Sequence, residues 1–164
     1  MRCAVLIVFA IMFLYSCEHY YDISKSIDPE FNAGDVFFYE SNLTAAIDTM
    51  YVMKKKYEVE DSDKTYHYES LSCVIINMNK NIKYEIQYSG NDFSLYVIEG
   101  ENVFMYDEYD SCLDLTLNGA KYKNVFLLTN ADNIINVPDT LFFSPKKGIL
   151  KYSVDNEKYN LIKE

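Results

Sequence analysis

The chain opens on a run of positions that does not alternate at all, whereas alternation of apolar and polar residues governs most of the sequence beyond it. Cys3 to Leu14 is apolar without interruption. From Asp35 onward, short apolar stretches are separated by polar turns. Asp35 to Glu40 is a short apolar strand, and Thr49 to Val59 carries a weak alternation through Tyr51, Met53 and Tyr57. The acidic cluster Glu58, Glu60, Asp61 and Asp63 marks an exposed turn before a strand over Thr65 to Ile76. After a polar loop, Ile82, Tyr84, Ile86 and Tyr88 recur at period two, as do Phe93, Leu95 and Val97 beyond Ser89-Gly90-Asn91-Asp92. That is the pattern of strands with one buried face. Val103 to Tyr106 returns after Glu99 to Asn102, which makes a meander.

The strongest local signal is Asn118-Gly119 between Leu113, Leu115, Leu117 and the stretch to Phe126. Asn-Gly supplies the two positive φ angles of a type I′ turn, whose twist matches paired antiparallel strands. Strands over Thr140 to Phe143, Ile149 to Val154 and Lys158 to Ile162 come next, separated by turns at Pro145 to Gly148 and Asp155-Asn156. Asn42 to Met50 and Asn130 to Ile135 are the segments capable of a helical turn or two. The chain is therefore expected to be all-β, with about nine to eleven strands in a curved antiparallel meander that rolls into a barrel-like shape or a sandwich.

The opening run is too short to span a membrane. A spanning helix needs roughly 20 apolar residues, whereas signal-peptide apolar regions have about 7 to 15. Arg2 precedes the run and Leu14-Tyr15-Ser16-Cys17 ends it. This ending resembles the lipobox of bacterial lipoproteins, with an aliphatic residue at −3, a small residue at −1 and cysteine at +1; Tyr15 is bulkier than the usual residue at −2. The resemblance implies cleavage before Cys17 and acylation of that cysteine, and two or more acyl chains hold a protein stably on a membrane. The expected organisation is a signal peptide over 1–16, a lipidated tether over 17–32 and a single β domain over 33–164. The protein is expected to be exported and anchored in the cell envelope, at the outer membrane.

Charge then narrows the partners. After removal of residues 1–16, fourteen basic residues face twenty-five acidic ones, a formal balance of −11. A surface this acidic repels phosphate backbones, so nucleic acid is not an expected partner, and membrane attachment falls to the lipid. With 16 Tyr, 10 Phe and no Trp, the chain has the aromatic content of a globular β protein rather than a disordered one.

Few residues bear chemistry. With Cys3 discarded and Cys17 acylated, Cys73 and Cys112 remain as a candidate disulfide or as two free thiols in strands. Closing that loop of about 40 residues would stabilise by roughly 4 kcal/mol. His19 lies in the tether, and His67 sits mid-strand in Tyr66-His67-Tyr68 as a surface or edge histidine. Asp107, Asp110 and Asp114 form a weak candidate for Ca²⁺ in an acidic turn that also holds Glu108, without the EF-hand spacing. Tyr84 and Tyr88 are core residues or, alternatively, aromatics lining a ligand cavity. No phosphate loop, paired metal histidines or nucleophile elbow is present. No cofactor and no enzymatic activity are expected.

The stretches Leu117-Asn118-Gly119-Ala120-Lys121-Tyr122-Lys123-Asn124-Val125 and Leu141-Phe142-Phe143-Ser144-Pro145-Lys146-Lys147-Gly148-Ile149-Leu150-Lys151-Tyr152 resemble the endings of small Bacteroidota envelope lipoproteins. The likeness covers about a third of the chain and rests on turn glycines and core aromatics, so it implies location and no catalytic residue. The expected role is a lipid-anchored, non-enzymatic interaction or accessory module for a protein partner; the alternative is a carrier of a small apolar ligand in a barrel cavity.

Overall fold

The computed structural model describes residues 19–23, 25, 28–61, 66–90, 92–106, 109–130 and 137–163. Twelve strands are found among them: β1 His19–Tyr21, β2 Val36–Ser41, β3 Ile47–Asp61, β4 Tyr66–Asn77, β5 Ile82–Ser89, β6 Asp92–Glu99, β7 Asn102–Met105, β8 Tyr109–Leu117, β9 Ala120–Thr129, β10 Thr140–Ser144, β11 Gly148–Val154 and β12 Glu157–Lys163. Eleven of them form one curled antiparallel sheet, a half-barrel, in the order β7-β6-β5-β4-β3-β2-β12-β11-β10-β9-β8. The all-β meander expected from the sequence is the fold the chain adopts. The strand beyond the expected range is β1, which pairs in parallel with the start of β4.

The topology explains the curl. Two meanders, β2 to β7 and β8 to β12, are joined by pairing of the last strand with the first, Tyr159 opposite Ser41. Ten antiparallel steps separate β7 from β8 in the sheet, so these two edge strands run in the same direction. They are also consecutive in sequence. The chain therefore passes from one edge of the sheet to the other without reversing, and the sheet must bend back on itself. Tyr106 pins that crossing: its N–H donates to the carbonyl of Leu95 at 3.1 Å and its hydroxyl to that of Pro138 at 2.8 Å.

Side chains from the two halves fill the space between them. Phe93 on β6 meets Phe126 on β9 and Phe143 on β10, with ring centroids 5.0 and 4.8 Å away. Tyr88 donates its hydroxyl to the Pro145 carbonyl at 3.0 Å, and Tyr39 donates to that of Ile149 at 2.8 Å. Each fully buried aromatic of this kind contributes about 1.5–3 kcal/mol through its apolar surface, and its hydroxyl is kept from costing energy by its bond. The alternating sets on β5 and β6 are buried as the sequence predicts.

Two turns show how local sequence sets the frame. Asn118 and Gly119 have φ of 50° and 83°, and Leu117 pairs with Ala120 across them. Gly148, at φ 78°, opens β11 where the Phe31 ring comes so near that a Cβ would lie 3.4 Å from it. Phe31 is itself buried and stands edge-on to Phe37, closing the lower end of the half-barrel. The segment expected to be a tether thus contributes a strand and a core residue.

The helical expectation over Asn42 to Met50 does not hold. The hydroxyl of Ser41 accepts N–H bonds from Leu43 and Thr44, both at 3.1 Å, and Ala45 adopts φ 55°. This serine-based turn takes the amides a helix would use, and β3 begins at Ile47. Most of Asn130 to Ile135 lies outside the described residues. Among the described residues, no helix is long and apolar enough to cross a membrane.

Candidate functional site

Besides its two edge strands, β7 and β8, the sheet leaves open the lower half of β3 among the described residues. β2 accompanies β3 only as far as Val36 opposite Tyr51. A final pair of backbone bonds ties Val52 to Gly34 and Asp35, both at 2.9 Å. A β-bulge at Met53 then turns the strand, which continues along β4 to Asp61. Among the described residues, nothing pairs with the backbone on the other flank of Met53 to Val59. Bulges of this kind bend a strand and end its pairing on one side. The result is an arm of β3 that pairs with β4 on one side and is open on the other; Ser70 to Asn77 of β4 pair in turn with β5, and the β3–β4 pair runs on past it to Asp61 and His67.

The two faces of the arm differ. On the inner face, Lys55 donates to the carbonyls of Pro29 and Phe31 at 2.9 and 3.0 Å, and Tyr57 donates its hydroxyl to Asp28 at 3.0 Å. Burial and the neighbouring Asp28 carboxylate raise the Tyr57 hydroxyl above its ordinary pKa. Tyr57 and Val59 nevertheless remain 55% and 63% exposed. The outer face forms a groove of about 530 Å³ lined by Lys54, Lys56, Tyr68, Glu85 and Gln87 among others. Glu58 there is paired with Lys56, whose ammonium holds its carboxyl below the usual range.

The most elaborate polar cluster lies at the upper end, around Asp48. This carboxylate is buried; Oδ1 accepts from the Thr49 amide at 2.9 Å and the Asn79 side chain at 2.8 Å, while Oδ2 accepts from Asn77 at 2.7 Å and from the Tyr152 hydroxyl. The Lys80 ammonium stands 3.8 Å from it and 4.0 Å above the Tyr159 ring, which stacks on Tyr152. Desolvation lowers the Lys80 pKa, against the pull of Asp48. Burial and the bond to Asp48 raise that of Tyr152. Every acceptor site on Asp48 is occupied from within the protein, so the cluster is suited to fastening three hairpin turns together rather than to holding a reactant. Sequence reasoning missed it because an inward aspartate beside a turn looks like any turn residue.

The sequence-predicted residues are scattered. Cys17 and Asp107 lie outside the described residues, as do the side chains of His19, Asp110 and Cys112. Asp110 and Asp114 belong to strand β8 rather than to the expected acidic turn, and Asp114 is exposed. Cys73 is a free, buried thiol, so the structure shows no bridge from it to Cys112. Burial pushes that thiol up to about 12, which keeps it protonated and inert. Tyr84 and Tyr88 are fully enclosed in the core, as the first of their two expected roles requires. His67 lies half-buried on the arm, between Asp61 of β3 and Tyr20 of β1 in register. Among the described residues, no three His, Cys, Asp or Glu side chains gather as a metal site. In comparison with known proteins, no family model, no curated protein and no solved structure matches the chain.

Proposed function

We propose that this is a lipid-anchored envelope protein, attached through Cys17, that works by binding a protein partner and not by catalysis. The observation that carries the reading is the unpaired flank of β3 from Met53 to Val59, among the described residues. An exposed strand edge is a template for another strand, with main-chain bonds giving affinity and side chains giving selectivity. Lys54 and Lys56, on the outer face of this strand, with Glu58 as the neighbouring carboxylate, suit an extended acidic segment of the partner. The pairing of β1 with β4 supports the anchored arrangement. With that pairing, the chain two residues beyond Cys17 lies against the arm, so the arm is the part of the domain held nearest the bilayer.

The test is photo-cross-linking in the native host from a benzophenone side chain at position 57, with position 43 as control. Exposed Leu43 lies in the upper turn, away from the arm. The expected result is an adduct from position 57 only, mapped to an extended acidic segment of one envelope protein and lost on Lys54→Glu with Lys56→Glu. No adduct, or an adduct indifferent to the charge reversal, contradicts the proposal. The buried rings of Tyr84, Tyr88, Phe93 and Phe143, which occupy the core between the two halves, give no support to the alternative of an apolar-ligand carrier.

A further inference from the structure

The second charged feature is independent of the arm. Residues 120–164 contain seven lysines and five carboxylates, whereas residues 1–119 contain eight basic and twenty acidic residues. Four of the seven lysines meet at the lower end. Lys121 and Lys123 stand two apart at the start of β9, both exposed, and Lys146 and Lys147 form the β10–β11 turn beside them. Together with Tyr122, Asn124 and Pro145 they border an open groove of about 420 Å³.

Among the described residues that line this groove, the carboxylate is that of Glu30. Glu30 sits 3.0 Å from the Lys147 ammonium and 3.9 Å from that of Lys146. Its backbone N–H donates to the Lys146 carbonyl at 2.8 Å, which fixes the segment in place. Hydrogen bonding and charge from Lys147 hold the Glu30 carboxyl below its usual range. Among the described residues, Lys121 and Lys123 make no ion pair. Lys121, Lys123, Lys146 and Lys147 thus line one groove together with the Glu30 carboxylate, in a molecule that is acidic elsewhere.

We propose that this groove binds a multivalent phosphate oxyanion, with Glu30 as the internal anion that occupies Lys147 until the ligand arrives. Lysine acts as a point charge toward phosphate and needs no fixed approach angle, which suits a shallow groove over a planar bidentate fit. The phosphate is carried either by a soluble phosphate ester or by an anionic lipid headgroup, since both present the same oxygens. Glu30 competes with an incoming anion for Lys147, so its removal strengthens binding.

The experiment is lysine footprinting with an amine-acylating reagent on the acylated protein in nanodiscs, read by mass spectrometry. Three conditions are compared: phosphatidylcholine discs alone, the same discs with inorganic pyrophosphate, and discs containing phosphatidylglycerol. Protection of Lys121 and Lys123 by pyrophosphate assigns a soluble phosphate, and protection in phosphatidylglycerol discs without pyrophosphate assigns the headgroup. Lys158 is expected to keep its reactivity throughout. Lys121→Gln with Lys123→Gln should weaken the pyrophosphate effect roughly tenfold, and Glu30→Gln should strengthen it several-fold. No protection in either arm, equal protection of Lys158, or a Glu30→Gln variant that binds less well while remaining folded overturns the proposal. Cross-linking from the β3 arm reads a different surface, so failure here and failure there are distinguishable.

Discussion

The hydroxyl of Tyr152 on β11 donates to Oδ2 of Asp48 on β3, joining positions 104 residues apart at the upper end of the half-barrel. Asp48 also gathers Asn77, Asn79 and Lys80, so one carboxylate fastens both meanders. Tyr152→Phe should cost about 1.5–3 kcal/mol, the scale of a hydrogen bond to a charged group. Asp48→Ala should cost more, about 3–5 kcal/mol, because it leaves the half-buried Lys80 ammonium without its counter-ion and two asparagine amides short of an acceptor. Urea unfolding of the two variants checks both the size and the order.

Tyr84 offers the opposite test. Its hydroxyl is fully buried and, among the described residues, has no hydrogen-bond partner, while that of Tyr88 on the same strand is bonded to Pro145. Tyr84→Phe should therefore be neutral or stabilising by about 1 kcal/mol, and Tyr88→Phe should destabilise by about 1 kcal/mol. Equal losses in equilibrium unfolding would mean that the Tyr84 hydroxyl is satisfied by water.

Phe31 tests the role of the N-terminal segment. If residues 28–35 belong to the core, Phe31→Ala should cost about 3–5 kcal/mol, as for other buried aromatics. A spacer would lose almost nothing. Thermal unfolding distinguishes the two.

The Cys73 thiol sets an alkaline limit. Its folded pKa of about 12 lies above the ordinary value of 9.0. The unfolded chain thus releases its proton first as the pH rises, and the protonated folded form loses its advantage. This contribution is fully present below pH 9 and is lost between about 9 and 12, at up to roughly 1.4 kcal/mol per pH unit. The buried hydroxyls of Tyr84, Tyr88 and Tyr152, raised by desolvation, act in the same direction above pH 10. Urea unfolding at about pH 8.5 and about pH 9.5 should show the decline, and Cys73→Ala should show a shallower one.

The strands with one buried face were legible because their information is local. Ile82 to Tyr88 and Phe93 to Val97 alternate without interruption, and Asn118-Gly119 specifies its own turn. The hidden features depend on residues far apart in sequence. Nothing near Tyr159 announces that β12 will pair with β2, and three residues, His19 to Tyr21, are too few for a period to show that they form a strand. Asp48 was unreadable for a related reason: its burial is compensated by Asn77, Lys80 and Tyr152, which the fold alone brings together. The open flank of β3 was partly visible as the weakest alternation in the chain, where Lys54, Lys55 and Lys56 interrupt the apolar positions. The bulge at Met53 follows from that interruption, because one extra residue resets which side chains face inward.

Attachment to the envelope through Cys17 underlies the placing of the arm, and the intact mass of the protein recovered from the membrane fraction of its host decides it. The mass expected is that of residues 17–164 plus acyl chains. A mass that begins elsewhere and carries no lipid would contradict the attachment, and would leave the arm without the bilayer beside which it is placed.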